Sequence, residues 1–303
     1  MLALALARSR FSPPALAAAL IWGGNSTALK VSVSELDPYI IALLQMLIAG
    51  VLLLGRVRRS EGRVMLIRRD WPRMLLAGTI GGLNGVLYFF GLSLTTASNA
   101  ALITSTAPVF ALALAVAGGQ ERLVGRQVAG ILWALVGVSL LTQNCGVSLA
   151  GNHMLGDLMV LGAAVTLAGY NVLAVSLVRT YSPTRVTAWG FLIGAATMTL
   201  LAPWGVQTWD LSRASLWAWF GLGYAAVLAS VLAATLWAYA LRGIGASRTM
   251  IYNYLTPVVA IALAASLLGE RLNALQAVGA LSVILGLILS SRSAPAAAQE
   301  IAS

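Results

Sequence analysis

Polar and aromatic side chains recur inside long apolar stretches of this 303-residue chain, in which 59% of residues are apolar and 9% are charged. A polar group in such a stretch is costly unless it faces a protein interior or a wet cavity. Aromatic faces can pack against the apolar body of a small molecule, while Asn, Thr and Tyr can hold its polar end. The candidate substrate-binding residues are Trp22, Asn25, Lys30, Asn84, Tyr88, Thr104, Tyr170, Asn171, Trp237, Tyr252, Asn253 and Tyr254.

Each type of candidate also has a purely structural alternative. The aromatic residues could pack helices together, and the asparagines could form hydrogen bonds between helices. The spacings Gly78-x3-Gly82, Gly81-x3-Gly85 and Gly190-x3-Gly194 predict faces for close helix packing. Lys30 could extend to lipid headgroups, or it could pair with a substrate carboxylate or with the nearby acids Glu35 and Asp37. Pro108 and Pro257 each free a backbone carbonyl one turn earlier, which suits a gate hinge or a simple kink.

The acidic residues all lie in predicted loops or at predicted helix ends. Glu121 and Glu270 precede two predicted helices, where an acid suits the helix dipole better than it suits a proton relay. Without an acid in mid-membrane, we expect facilitated diffusion, with proton-coupled antiport as the alternative. One His, the single Cys145 and the lack of nucleotide-binding or metal-binding motifs predict no enzymatic activity, no cofactor and no metal.

The stretches without charged residues are long enough to cross a bilayer, which needs about 20 apolar residues per helix. Eight of them are one span long, and residues 74–120 are long enough for two. We therefore predict an all-α polytopic membrane protein with ten transmembrane helices. So few charges exclude an ordinary soluble enzyme, a disordered chain and a nucleic-acid binder.

The arrangement of basic residues predicts the orientation in the membrane. All of them are Arg except Lys30, and with the N-terminus inside, only Lys30, Arg213 and Arg271 fall on the outer side. Positive charge favours the cytoplasmic side, so we expect a multi-pass inner-membrane protein with both termini in the cytoplasm. Residues 292–303 are expected to form a disordered cytoplasmic tail.

An internal repeat divides the chain into two parts. Residues 92–142 align with 241–291 at a constant offset of 149, with 17 identities in 51 positions and no gap. The identities include Ser98/Ser247, Pro108/Pro257, Glu121/Glu270, Gln127/Gln276, Gly130/Gly279 and Gly137/Gly286. At the same offset Tyr88 corresponds to Trp237, and with a shift of one residue Trp22 corresponds to Tyr170. Residues 1–148 and 149–291 would each hold five helices, so the second copy enters the membrane from the opposite side. This inverted 5+5 structural repeat is common in alternating-access transporters, whose substrate site lies between the halves.

Several motifs resemble those of a known family. They are Ile21-Trp22-Gly23-Gly24-Asn25 leading to Lys30, Tyr88 leading to Ala97-Ser98, Pro108-Val109, and the repeated Glu-Arg-Leu-x3-Gln-x2-Gly-x6-Gly. Together they resemble the EamA repeat of the drug/metabolite transporter superfamily, and most of all the YddG-type amino-acid exporters. The resemblance implies ten helices and the export of small metabolites. Gln45 stands where EamA members commonly have Arg, so that position carries no implied substrate contact.

These observations predict a transporter that exports small neutral or zwitterionic metabolites, amino acids including aromatic ones above all. The alternatives are export of a purine, an organic cation or another drug by the same fold. The expected partners are the substrate and the lipid bilayer, with no nucleic acid. One passage per chain is compatible with a monomer, although the sequence leaves the oligomeric state open.

Overall fold

The structure is a computed structural model that describes residues 12–28, 32–95, 100, 103–142, 154–201, 214–268 and 274–291. Within these ranges the chain is almost entirely helical and contains no strand. The predicted tail 292–303, Lys30 and Glu270 lie outside the described residues.

The first part of the chain, up to residue 142, forms six described α-helices. A 3₁₀ turn over Arg68–Asp70 leads directly into the fourth of them. The helices are α1 (Pro13–Ala28), α2 (Ser32–Glu35), α3 (Pro38–Glu61), α4 (Trp71–Leu94), α5 (Ala107–Ala117) and α6 (Gly125–Thr142).

The second part contains seven described α-helices and one π-helical segment, Tyr224–Ala233. A 3₁₀ turn, Tyr252–Tyr254, directly precedes the sixth of these seven helices. The helices are α7 (Met154–Thr180), α8 (Pro183–Leu201), α9 (Leu216–Gly223), α10 (Ala234–Ile244), α11 (Ala246–Ile251), α12 (Leu255–Leu268) and α13 (Ala274–Ser291).

Four helical stretches among the described residues are long and apolar enough to cross a bilayer. They are residues 39–61, 68–92, 154–180 and 216–244, the last of which joins α9, the π-helical segment and α10. Shorter apolar helices cover 107–117, 125–140 and 277–290. The fold class is therefore a helical membrane protein with several apolar spans, and the count of ten stays a prediction.

The main apolar core is built from helices of both parts of the chain. It includes Ala111 of α5, Ile131 of α6, Val175 of α7, Leu241 of α10 and Val283 of α13. Helix α4 packs against α7 and α8, whereas α1 packs against the π-helical segment, α10 and α12. The two parts of the chain are thus interleaved, and the helices that carry the candidate residues face one another.

Small residues allow close helix contacts at several of these crossings. A Cβ atom at Gly78 would lie 2.6 Å from the Cβ atom of Ile193, and one at Gly82 would lie 2.6 Å from the carbonyl oxygen of Gly194. The sequence prediction that these glycines serve close packing is confirmed for this α4–α8 contact.

Candidate functional site

Two tryptophans from distant parts of the chain meet where α1 packs against α10. The ring centroids of Trp22 and Trp237 are 4.9 Å apart, and the rings are tilted by 53°. The Trp22 indole also donates a hydrogen bond from Nε1 to the carbonyl oxygen of Ala229, at 2.9 Å. The pair therefore joins α1 to α10, and its first ring is held by a contact between α1 and the π-helical segment.

Asn171 fixes the orientation of the second tryptophan. Its Oδ1 atom accepts a hydrogen bond from Trp237 Nε1 at 2.7 Å, and its Nδ2 atom donates to the Leu167 carbonyl at 2.8 Å. Asn171 is 1% exposed and Trp237 is 5% exposed. Because buried polar atoms need partners, this arrangement holds both side chains in one conformation. We call Trp22, Asn171, Trp237 and the Ala229 carbonyl the central cluster.

The π-helical segment positions two members of this cluster. Ala229 lies within it, and Trp237 lies in the first turn of α10, which follows the segment directly. A π-helical stretch changes the register of backbone hydrogen bonds, and such stretches occur frequently at functional sites. The sequence offered no signal for it, because the segment reads as an ordinary apolar helix.

Tyr170 lies between α4 and α8, where its ring packs against one glycine of each helix. A Cβ atom at Gly81 would lie 3.4 Å from Tyr170 Cδ2, and one at Gly190 would lie 3.2 Å from its hydroxyl oxygen. The sequence assigned both glycines to helix packing. The structure agrees, and the side chain against which both glycines pack is the ring of a candidate binding residue on α7.

Three buried polar atoms at α1 and the start of α12 have no hydrogen-bond partner within the described residues. They are Asn25 Oδ1, the Tyr254 hydroxyl and Thr256 Oγ1. Tyr254 is 1% exposed. Helices α1 and α12 are in direct contact, since a Cβ atom at Gly23 would lie 3.1 Å from the Thr256 carbonyl oxygen. Unpaired buried polar atoms are costly, and a ligand's polar group could satisfy them.

Three other candidates, Asn84, Thr104 and Tyr88, have partners that favour the structural alternative. Asn84 donates to the Ala163 carbonyl at 2.7 Å, which links α4 to α7, and Thr104 donates to the Ala100 carbonyl at 2.6 Å. Tyr88 is half-buried and packs edge-on against Phe89, with centroids 5.6 Å apart. Asn253 is half-buried in the 3₁₀ turn before α12.

Tyr252 connects the start of α12 to the start of α1. Its hydroxyl accepts a hydrogen bond from the Ser12 backbone N–H at 2.7 Å, and the side chain is buried. Its observed role is to hold two helix ends together.

A second polar group, the latch, consists of Glu121, Gln127 and Ser247. The Ser247 hydroxyl donates to a Glu121 carboxylate oxygen and accepts a hydrogen bond from Gln127 Nε2 at 2.7 Å. The Ser247 N–H donates to Glu121 Oε1 at 3.3 Å. Gly245 has φ of +83°, and a Cβ atom there would lie 2.8 Å from Glu121 Oε1, so glycine suits both the backbone and the contact.

The pattern of the EamA-like transporter family matches residues 14–143 and again residues 154–292. This chain belongs to the EamA-like transporter family. The family and the relatives below are transporters, and the protein is therefore a membrane transporter and not an enzyme.

Named relatives of this EamA-like transporter share about a quarter of its residues. A "Probable amino-acid metabolite efflux pump" of Salmonella typhimurium is 29% identical, with 91% of this chain and 93% of the relative covered. A protein of the same name from Escherichia coli is 27% identical over the same shares. An uncharacterised transporter of Bacillus subtilis is 28% identical, with 89% of each chain covered.

One solved crystal structure has a closely similar fold. It superposes on the EamA-like transporter with a TM-score of 0.80 at 20% identity, and covers 96% of this chain and 98% of the other. At this identity the likeness concerns the fold alone.

The position of Glu121 in the transporter differs from the sequence expectation. The prediction placed it at the dipole of the helix that follows it, yet α6 begins at Gly125 and the carboxylate contacts the start of α11. Glu121 therefore accepts a hydrogen bond from the first turn of a helix that lies more than 120 residues away along the chain. Each latch residue is identical to its counterpart in the repeat, in the pairs Ser98/Ser247, Glu121/Glu270 and Gln127/Gln276. This shared identity could have identified the latch from the sequence.

The prolines also differ from the kink or hinge expected within a continuous helix. Pro108 lies in the first turn of α5, after a turn at residues 105–106, and Pro257 lies in the first turn of α12, after the 3₁₀ turn. Proline is tolerated in a first turn because that N–H has no helical partner. The backbone is thus irregular before both prolines, which leaves a hinge role at these positions a prediction.

Proposed function

We propose that this transporter exports small neutral or zwitterionic metabolites, amino acids including aromatic ones above all, by alternating access and facilitated diffusion. The central cluster is the observation that carries this proposal. Once open, it offers two tryptophan rings to an apolar side chain, and the unpaired atoms of Asn25 on α1 and of Tyr254 and Thr256 at the start of α12 offer hydrogen bonds to a polar end.

The charge distribution around the cluster supports an uncharged or zwitterionic substrate. Helix α1 has no charged residue, and in α7 and α10 the charged residues Asp157, Arg179 and Arg242 lie within four residues of a helix end. A sugar phosphate would require several interior cations, and an organic cation would require an interior acid. Two relatives are named as probable amino-acid metabolite efflux pumps, which is consistent with this substrate class.

Contacts between α6 and α13 support an inverted 5+5 repeat. A Cβ atom at Gly130 would lie 2.7 Å from the Gly286 carbonyl oxygen, and one at Gly137 would lie 2.9 Å from that of Gly279. In the repeat Gly130 is equivalent to Gly279, and Gly137 to Gly286. Each glycine therefore contacts the partner of the other, which is the reciprocal pattern that a two-fold axis produces.

Helix packing elsewhere follows the same reciprocal pattern. Helix α4 packs against α7, and their counterparts α10 and α1 pack against each other. Likewise α5 packs against α7, while its counterpart α12 packs against α1. These paired contacts support two interlocked copies of one unit, with residues 1–148 and 149–291 as the halves.

The latch supports alternating access because its three side chains join one half to the other through hydrogen bonds. In the proposed orientation, with both termini in the cytoplasm of a bacterial inner membrane, the latch and the Tyr252–Ser12 contact lie on the cytoplasmic side. Both would have to break before the central cluster could open inward. Breaking a few hydrogen bonds that water can replace costs little net free energy, as a gate requires.

Counterflow in proteoliposomes tests the substrate. We expect preloaded unlabelled Phe, Trp, Met or Thr to accelerate uptake of the same labelled amino acid. Trp237→Ala should lower this exchange at least tenfold at matched amounts of folded protein. Trp133→Ala is the matched control, since Trp133 lies on α6 and is 54% exposed. Equal flux with and without protein for every amino acid would contradict the substrate class.

An imposed proton gradient tests the energetics separately. We expect no accumulation of substrate above its equilibrium level when the vesicle interior and exterior differ in pH. Uphill accumulation driven by the pH difference would establish proton-coupled antiport instead. A tag on each terminus, found on opposite faces of the membrane, would contradict the topology.

A further inference from the structure

The connection between α3 and α4 carries an unusual density of positive charge. Seven arginines between residues 56 and 73 are exposed, namely Arg56, Arg58, Arg59, Arg63, Arg68, Arg69 and Arg73. None of the seven forms an ion pair with any residue that the structure describes. We call these arginines the basic patch.

The two acids of the same segment are engaged elsewhere. Glu61 forms an ion pair with Arg185 at the start of α8. Asp70 accepts a hydrogen bond at 2.6 Å from the hydroxyl of Tyr181, which lies in the turn between α7 and α8. The acids therefore bind to the second half of the chain, and the positive charge of the patch remains available to an external anion.

Apolar side chains are exposed between the arginines. Met65 is 61% exposed and Ile67 is 66% exposed, whereas Leu66 between them is 5% exposed and buried in the core. Exposed apolar residues surrounded by Arg are typical of a surface that inserts into the boundary between headgroups and acyl chains. A soluble anion would leave these two side chains in water.

The segment is held in a fixed shape. The Trp189 indole donates from Nε1 to the Val64 carbonyl at 2.8 Å, and the Ile67 N–H donates to the Tyr181 hydroxyl at 3.0 Å. Trp71 and Trp189 pack edge to face, with centroids 4.8 Å apart. A ligand that binds here meets a preformed backbone, so little conformational entropy is lost on binding.

We propose that the basic patch binds the headgroups of anionic phospholipids, with Met65 and Ile67 inserted among the acyl chains. Arg68, Arg69 and Arg73 would donate to phosphodiester oxygens, because guanidinium groups form bidentate hydrogen bonds with phosphate. Lipid bound here would stabilise a segment that bridges the two halves of the chain. This site is separate from the central cluster and does not depend on the identity of the substrate.

Thermal unfolding of the full-length protein in a neutral detergent tests the site. We expect added dioleoylphosphatidylglycerol to raise the melting temperature, dioleoylphosphatidylcholine to have a smaller effect, and added salt to weaken the difference. The variant Arg68→Gln/Arg69→Gln/Arg73→Gln should bind phosphatidylglycerol at least tenfold more weakly. The control Arg122→Gln/Arg126→Gln/Arg242→Gln removes three exposed arginines elsewhere and should retain the wild-type response.

Several results would overturn the proposal. Equal stabilisation by the two lipids, or equal loss of response in both triple variants, would show that the patch has no preference for anionic headgroups. Inorganic phosphate that reproduces the full shift at the same concentration would make free phosphate the ligand. If the arginine variant fails to fold, Met65→Ser/Ile67→Ser keeps the test decisive. It should weaken the response to phosphatidylglycerol, and an unchanged response would exclude a lipid that inserts its chains.

Discussion

The α6–α13 contact and the latch both join the first segment that matches the family pattern, residues 14–143, to the second, residues 154–292, but they do so by opposite means. Helices α6 and α13 meet backbone to backbone, with room for only a hydrogen atom at Gly130, Gly137 and Gly286. The latch joins the same two segments through the side chains of Glu121, Gln127 and Ser247. Close backbone contact is lost only if the helices separate, whereas hydrogen bonds to water can replace those of the latch once water reaches its buried side chains. We infer that the first contact is permanent and the second is made to open.

The largest expected effect comes from overfilling the permanent contact. In Gly130→Ala the new Cβ atom would lie 2.6 Å from the Ser290 backbone nitrogen, and the backbone has no room to yield. We expect destabilisation by about 1–3 kcal/mol or more, measured as a lower melting temperature and a smaller monodisperse yield. Gly125→Ala is the control at the start of the same helix, where a Cβ atom meets nothing within 4 Å. Equal effects in both variants would contradict the packing argument.

The central cluster should show an effect of intermediate size. Asn171→Ala leaves the buried Trp237 indole N–H unpaired, which we expect to cost about 1–3 kcal/mol in unfolding experiments. Trp237→Phe removes the other partner. If the hydrogen bond holds both side chains, the double variant should lose clearly less stability than the two single losses combined. Additive losses would mean that the two residues act independently.

Weakening the latch should change the conformational equilibrium more than the stability. Glu121→Gln replaces a charge-assisted hydrogen bond to Ser247 with a neutral one, worth about 1 kcal/mol less, so we expect the cytoplasmic side to open several-fold more often. The readout is the rate at which a membrane-impermeant thiol reagent labels Met250→Cys in a Cys145→Ser background. Asp157→Asn removes one carboxylate at the opposite end of the bundle and should leave this rate unchanged. A slower rate in Glu121→Gln would contradict the proposed role of the latch.

The smallest effect on stability is expected at Tyr254, whose hydroxyl has no partner among the described residues. Tyr254→Phe should leave the melting temperature unchanged or slightly raised, yet should slow exchange if the hydroxyl binds substrate. Tyr39→Phe is the comparison, because the Tyr39 hydroxyl donates to the Met198 carbonyl at 2.7 Å and its loss should cost about 1 kcal/mol. Wild-type exchange by Tyr254→Phe would exclude this hydroxyl from the site.

Sequence reasoning identified the residue types of the site better than their contacts. It equated Trp22 with Tyr170 and Tyr88 with Trp237 as positions in the two halves, but the ring that meets Trp22 is that of Trp237. In a two-fold repeat a contact between two residues implies a contact between their equivalents, so equivalence alone does not identify the partner of a residue. The same reason explains why Gly130 meets Gly286 and not its own counterpart, Gly279.

Sequence patterns predicted a structural feature where the local spacing of residues determines it, and failed where residues distant in the chain determine it. The glycines of α4 and α8 were correctly assigned to packing, at Gly78 and Gly82 between these two helices and at Gly81 and Gly190 against Tyr170 of α7. Nothing in the composition of residues 224–233 distinguishes a π-helical segment from an α-helix. The segment packs against α1 and α3, and sequence periodicity does not encode these contacts.

The sequence alone determined that this is a helical membrane transporter of the EamA-like family, because apolar composition and a repeated motif are properties of the chain itself. It also supplied the set of polar residues from which any site must be built. Only the tertiary structure decided which of them meet, joining Trp22 to Trp237 and Glu121 to Ser247. Partners more than a hundred residues apart are chosen by the rotation and depth at which helices pack, and those follow from the contacts of the whole bundle.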